Sequence, residues 1–155
     1  MDAVLTSLIA VLGTLLGTLA SFRFQSRAAE RNERFQREER LRQDRLAVGK
    51  EFAAALQEYR SGQHARWHRA HEEWDGPAAT AARAESYRLR TVAWQALSHV
   101  RLLFQDPGLV EQAQLAFDQA GKMHRARDKQ DLELRDHAVR EAIEAFLGAV
   151  GPHVR

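Results

Sequence analysis

One stretch near the start of the chain limits what the whole protein can fold into. Residues 3–22 contain no charged side chain, and six of these twenty residues are leucine. A helix rises about 1.5 Å per residue, so a run of this length spans about 30 Å, the thickness of a bilayer's hydrocarbon core. The sequence therefore predicts a transmembrane anchor over residues 1–22.

A cleaved secretory signal is the alternative interpretation of this run. Such a signal begins with basic residues, and its apolar stretch of about 7–15 residues ends at a small-residue cleavage site. Thr18-Leu19-Ala20 is similar to a cleavage site, but Met1 and Asp2 supply no basic side chain. Because the apolar run is also too long, the anchor is the preferred interpretation.

The charges that follow the run predict its orientation. Seven arginines lie between residues 23 and 42, and no basic residue precedes the run. Since basic residues flanking a membrane helix stay on the cytoplasmic side, we expect an outside N-terminus and a cytoplasmic C-terminal domain at the cell's inner membrane. Contact with anionic lipid headgroups, at about 1 kcal/mol per basic residue, is expected for the first four of these arginines. They are Arg23, Arg27, Arg31 and Arg34.

Small residues share one face of the predicted anchor. Gly13 and Gly17 form a GxxxG motif, and Ser21 continues the same row. Small side chains let two helix backbones approach closely, which favours a homo-oligomer. The alternative is that these glycines are ordinary members of a membrane helix, where glycine is common.

Residues 23–47 predict a charged helical rod beside the membrane, because apolar side chains are few there. A weak coiled coil is the alternative, but charged residues would then fall on its seam. Glutamates are interspersed among the arginines and leave no purely basic face, so nucleic acid is not expected as a partner. A membrane tether for nucleic acid stays an alternative function. Glu/Arg pairs four residues apart would support the rod. They are Glu30–Arg34, Glu33–Arg37 and Glu38–Arg42.

Residues 48–155 predict a helical bundle. Apolar residues recur there with a helical period, and no segment alternates like a strand. The helix ends are marked by Asp75-Gly76-Pro77, by Asp106-Pro107, by a polar stretch over residues 125–131 and by Gly151-Pro152. The predicted fold class is therefore all-α: one transmembrane helix continues into a long charged helix, and an antiparallel bundle of about four helices follows. Positions expected to be buried include Val48, Phe52, Leu56, Tyr59, Leu89, Val92, Ala96, Val100, Leu109, Phe117, Met123, Ile143, Phe146 and Leu147.

The residue types indicate little catalytic chemistry. The chain has no cysteine, which excludes disulfides, thiolate metal sites and a cysteine nucleophile. It has no glycine-rich phosphate loop, no HExxH motif and no Glu-x-x-His motif. We therefore expect a protein that is not an enzyme and has no cofactor.

Three histidines are the strongest candidates for a metal site. His64, His68 and His71 share one helical face, and imidazole pairs spaced four apart bind Zn²⁺ and other transition metals. A metal-binding sensory or enzymatic helical domain is thus an alternative function. Arg66 and Arg69 are neighbours that oppose a bound cation, so a solvated histidine face is the preferred interpretation.

Two tryptophans lie seven residues apart, at Trp67 and Trp74. Packing against the next helix is the preferred interpretation for both. A patch that binds a partner protein is the alternative.

Three segments resemble a known family. The opening TSLIAVLGTLLGTLASFRFQ, the stretch YRSGQHARWHRAHEEW and the last helix with AIEAFLGAV are similar to the small actinomycete proteins labelled kilB. The resemblance implies a membrane protein of a mobile element, with a role in conjugative transfer and intramycelial spread of plasmids. It supplies no active-site residues. The preferred hypothesis is a single-pass membrane protein that acts by protein–protein contact at the cytoplasmic face.

Overall fold

The computed structural model describes the backbone of residues 2–72 and 74–154, and the side chains of residues 31–72 and 74–154. Four α-helices make up most of this part of the chain, and it contains no strand. They are α1 (Asp2–Glu72), α2 (Pro77–Leu103), α3 (Pro107–Lys122) and α4 (Lys129–Val150), with short 3₁₀ helices at Met123–Arg125 and Gly151–Val154. The all-helical prediction is confirmed.

Local sequence signals explain where the helices begin and end. Pro77 and Pro107 occupy the first turns of α2 and α3, where a missing N–H leaves no helical hydrogen bond unmade. The Asp106 carboxylate accepts from the N–H groups of Gly108 and Leu109 and so caps α3. In the same way, Asp128 accepts from Asp131 N–H at the start of α4.

The chain divides into two compact units, Met1–Leu41 and Arg42–Arg155. In the described part of the first unit, side chains are exposed along almost the whole helix, and the ring of Phe35 is 67% exposed. Arg37 forms a 3.1 Å ion pair with Glu33, which confirms one of the three predicted pairs. The pair that includes Glu30 lies outside the described side chains.

The second unit is an antiparallel four-helix bundle built from the C-terminal part of α1 with α2, α3 and α4. Contacts such as Phe52 with Phe146, and the ion pair of Arg60 with Asp136, show that α1 and α4 run in opposite directions. The α1–α2 and α2–α3 pairs are also antiparallel, as the contacts of Gln63 with Ser86, Glu51 with His99, Trp94 with Phe117 and Arg101 with Gln114 show.

The core of the second unit is continuous across its four helices. It includes alanines of α2 and α3, such as Ala93 and Ala116, together with large side chains from all four helices. The largest fully buried apolar side chains are Tyr59, Phe52, Phe146, Leu56, Leu97, Leu109, Met123, Leu132, Ile143, Val100 and Val139. Most of the apolar positions expected inside are therefore buried.

Three expectations at the edges of these stripes are wrong. Val92 and Leu147 are more than a third exposed, because each lies at the margin of its helix's apolar face and is only partly covered there. Trp74 is 71% exposed because α1 ends at Glu72 and the indole follows in the turn before α2.

In the part of the chain whose side chains the structure describes, no helix has the length and apolarity needed to cross a bilayer. The side chains of the predicted anchor, residues 1–22, lie outside the described residues. The same holds for the predicted packing face at Gly13, Gly17 and Ser21 and for the headgroup arginines Arg23 and Arg27.

Candidate functional site

The three histidines of α1 do not form one cluster. The rings of His64 and His68 lie 4.6 Å apart, whereas His71 stacks on the indole of Trp67 at 3.8 Å. His71 Nδ1 is 2.8 Å from the carbonyl oxygen of Trp67, in position to donate to it. Among the side chains at 31–72 and 74–154, no group of three or more His, Asp or Glu residues is arranged to hold a metal ion.

His64 lies beside the contact between α1 and α4. A shallow pocket there is lined by His64, Arg60, Ser61 and Asp136. Burial, and then the neighbouring His68, lower the pKa of His64, so the neutral ring is favoured. The Asp136 carboxylate accepts from Arg60 and also pairs with Arg140, which satisfies its charge inside the protein.

The two tryptophans have different surroundings and do not form one patch. Trp67 is buried in the core, and its indole N–H donates to the carbonyl oxygen of Ala126 at 2.8 Å. Trp74 is exposed in the α1–α2 turn, where the guanidinium of Arg83 lies 5.7 Å from its ring. The expected core packing is therefore confirmed for Trp67, and Trp74 is the one of the two available to a partner.

A buried polar cluster lies between α1, α2 and α3. Ser86 Oγ donates to Gln63 Oε1 at 3.0 Å, and Gln63 Nε2 donates to the Tyr59 hydroxyl at 2.9 Å and, at 3.4 Å, to the Gly121 carbonyl oxygen. Each of the three side chains is at least 98% buried. Because each side chain of this Tyr59–Gln63–Ser86 cluster has a hydrogen-bond partner, the cluster does not destabilise the core as unpaired polar groups would.

This cluster forms the floor of a cavity of about 350 Å³ between α1, α2 and α3. Its walls carry Arg66 from α1, Arg90 from α2, Lys122 at the end of α3 and Arg125 from the following 3₁₀ helix. We call it the cationic cavity. Its size is within the range of pockets that bind small molecules.

The electrostatics of the cationic cavity follow from burial and from these cations. Burial raises the pKa of the Tyr59 hydroxyl, against the opposing effect of its hydrogen bond from Gln63. Burial, followed by the charges of Arg66 and Arg125, lowers the pKa of His124, which also lines the cavity. The neutral form of His124 is therefore favoured, because burial and then the neighbouring cations both disfavour a positive charge on its ring.

A second groove of similar volume adjoins the cationic cavity. It is lined by Tyr87, Arg90, Thr91 and Trp94, so Tyr87 and Arg90 belong to both. An arginine guanidinium lies over each of the two aromatic rings: Arg66 is 5.3 Å from the ring centre of Tyr87, and Arg101 is 5.2 Å from that of Trp94. We call this surface the aromatic groove.

The sequence did not predict that these residues share a site. They come from three helices that are far apart in the chain, and only the packing of those helices brings them together. The sequence does contain one signal for the floor of the cationic cavity, since Gln63 lies between Tyr59 and Trp67 on an otherwise apolar stripe of α1. A polar side chain on the core-facing side of a helix needs a hydrogen-bond partner inside the protein.

Fold and site together define a class: an all-helical bundle with a basic, polar-floored cavity. The family model described as KilB plasmid transfer protein matches residues 46–154, which is well over half of the chain and lies within the second unit. The chain belongs to the KilB plasmid transfer protein family, as its resemblance indicated, and this connects it to plasmid transfer. No curated protein and no solved structure matches it.

Proposed function

We propose that this protein is a membrane-anchored helical component of plasmid transfer and acts by contact with other proteins at the cytoplasmic face. The family supports the role in transfer. The observation that carries the membrane part is the charge pattern, in which residues 3–22 are uncharged and seven arginines follow between residues 23 and 42. Arg31 and Arg34 are exposed, as contact with lipid headgroups requires.

A second part of the proposal is self-association within the membrane. Gly13, Gly17 and Ser21 are spaced so that small side chains share one face of a helix. Two copies of the anchor would then pack closely along this face. No catalytic step is included in the proposal.

Trp74 supplies the protein-contact surface in this proposal. Its indole is exposed and lies beside the guanidinium of Arg83. Tryptophan and arginine are the residue types that most often dominate binding energy at interfaces. We propose that the partner that binds the surface at Trp74 is another protein of the same transfer apparatus.

Membrane attachment is tested by fractionation and by a reporter. Full-length protein should pellet with membranes, resist extraction by high salt and dissolve in detergent. A C-terminal fusion should be active only as a cytoplasmic reporter. Protein with an intact N-terminus that stays in the supernatant, or a fusion active only outside the cytoplasm, would contradict the proposal.

Self-association is tested by crosslinking in membranes. Gly13→Leu combined with Gly17→Leu should remove the crosslinked dimer, whereas the control variant, Leu15→Ala combined with Leu16→Ala, should leave it. A dimer that survives the glycine substitutions shows that this face is not the contact.

Protein contact is tested with a photo-crosslinking residue at position 74 in plasmid-bearing cells. We expect a discrete adduct with a plasmid-encoded protein, and we expect Trp74→Ala to lower the frequency of transfer. Leu134 is a matched control, because it is 65% exposed on α4. Equal adducts from positions 74 and 134, or a normal transfer frequency for Trp74→Ala, would argue against this surface.

A further inference from the structure

The cationic cavity has an excess of positive charge, because four cations and one carboxylate, that of Asp118, line it. Within the described residues, none of its cations forms an ion pair with a carboxylate, whereas arginines elsewhere on the bundle do, such as Arg88 with Glu85 and Arg140 with Asp136. The Asp118 carboxylate accepts a hydrogen bond from the side-chain amide of Gln114 at 2.9 Å. Four like charges around one space repel each other, and an anion placed among them offsets that cost. The four are Arg66, Arg90, Lys122 and Arg125.

The floor of the cavity is suited to an anion with several oxygens. The Tyr59–Gln63–Ser86 cluster is neutral and polar, so it presents no charge that an anion must displace. The Tyr59 hydroxyl accepts from Gln63, and among the described residues no acceptor for its own proton is present, so it is able to donate to a ligand oxygen. Arginine and lysine donors around a hydrogen-bonding floor are the usual surroundings of a phosphate group.

The aromatic groove adds a second recognition element at one end of the cavity. Tyr87 and Trp94 are each about half exposed, and each already lies against an arginine guanidinium. Flat aromatic and guanidinium surfaces are what unpaired nucleobases stack on. A phosphate-binding cavity that opens beside such a groove matches a ligand with phosphates at one end and a base at the other.

We propose that the cationic cavity and the aromatic groove together bind a nucleotide. The phosphates lie among Arg66, Arg90 and Lys122, and the base stacks at Tyr87 and Trp94. A free nucleotide and one unit of a single strand present the same chemistry to this site. The proposal concerns the second unit of the chain and does not depend on membrane attachment or on the Trp74 surface.

The test measures ligand binding to detergent-purified full-length protein by calorimetry. The probes are ATP, pyrophosphate, adenosine and a short single-stranded oligothymidylate. We expect ATP to bind, and pyrophosphate and adenosine each to bind at least about tenfold more weakly, because each lacks one of the two recognised parts. Competition with the oligothymidylate separates the two sources: tighter binding of the strand than of ATP identifies a single strand as the ligand, and weaker binding identifies a free nucleotide.

Matched variants on α2 distinguish a site from general charge attraction. Arg90→Gln removes a cavity cation and should weaken ATP binding about tenfold. Arg88→Gln removes the same charge from the same helix, but Arg88 pairs with Glu85 outside the cationic cavity, so it should leave binding unchanged. Trp94→Leu should weaken ATP binding while leaving pyrophosphate binding as it was.

Several results would overturn the proposal. Absence of ATP binding at millimolar concentration, with the protein shown to be folded by circular dichroism, would refute it. So would equal weakening by Arg88→Gln and Arg90→Gln, since net charge alone would then explain binding. Pyrophosphate binding as tightly as ATP, with no effect of Trp94→Leu, would show a simple phosphate site without a base.

Discussion

Two phenylalanines on the same helix show how differently the two units of this protein are held. Phe35, in the first unit, is 67% exposed, whereas Phe52, in the second, is fully buried and meets the ring of Phe146 at 4.9 Å. Both sit in regular α-helix. Helix formation alone therefore does not bury an apolar side chain. The difference between the two units comes from the neighbouring helices, which cover Phe52 and do not cover Phe35.

The largest expected effect tests this contrast directly. Phe52→Ala should lower the free energy of unfolding by about 3–5 kcal/mol, because it leaves a cavity in a packed core. Phe35→Ala is the matched control and should change it by less than about 0.5 kcal/mol. Urea denaturation followed by far-UV circular dichroism measures both. Equal losses from the two variants would mean that Phe35 is covered in solution.

The next effect concerns the buried polar cluster. Gln63→Leu should cost about 1–3 kcal/mol, because it leaves the hydroxyls of Tyr59 and Ser86 buried without this partner. Gln57→Leu, on the exposed face of the same helix, should be close to neutral. Adding Ser86→Ala to Gln63→Leu should recover part of the loss. A double variant no more stable than the single one would show that hydrogen bonding is not what Gln63 provides.

A smaller effect should appear as a pH dependence of stability. The folded protein holds the pKa of His64 and of His124 below the ordinary value of about 6.5, so the unfolded chain binds more protons just below that pH. Stability from these two rings is therefore fully present above about pH 6.5 and is lost as pH falls through the lowered values. Unfolding at pH 7.5 and at pH 5.5 measures the slope, and His64→Gln combined with His124→Gln should flatten it. An unchanged slope in that double variant would assign the pH dependence to other groups.

The smallest effect is expected in the first unit. The Glu33–Arg37 ion pair is mostly exposed to solvent on both sides, and such pairs contribute at most about 0.5 kcal/mol. Glu33→Gln should leave the unfolding transition of the second unit where it is. A shift comparable to that of Gln63→Leu would remove the contrast between the units.

Sequence reasoning predicted the parts of this fold that local signals determine. Asp106 with Pro107, and Pro77, mark helix starts through capping and a fixed backbone angle, and these interactions span only a few residues. The helical period also identified the core positions of α3 correctly. The period could not give the width of each buried face, and so Val92 was expected inside although it is only partly covered.

The cationic cavity could not be predicted in the same way. Arg66, Arg90 and Lys122 belong to three different helices, and each alone is an ordinary charged residue on a helix surface. Their common location depends on how the helices are rotated against one another, which a single sequence does not show. Gln63 was the one informative position, since its phase on α1 is that of a core residue.

The hydrogen bonds of Gln63 also have a consequence for the alignment of the helices. Apolar contacts between helices tolerate a slide of one turn, because one leucine or alanine replaces another at little cost. A slide of α1 by one turn would instead place Tyr59 or Trp67 opposite Ser86, and it would separate the Gln63 amide from the Ser86 hydroxyl and from the Gly121 carbonyl oxygen. A single glutamine thus selects one register of the bundle over its neighbours.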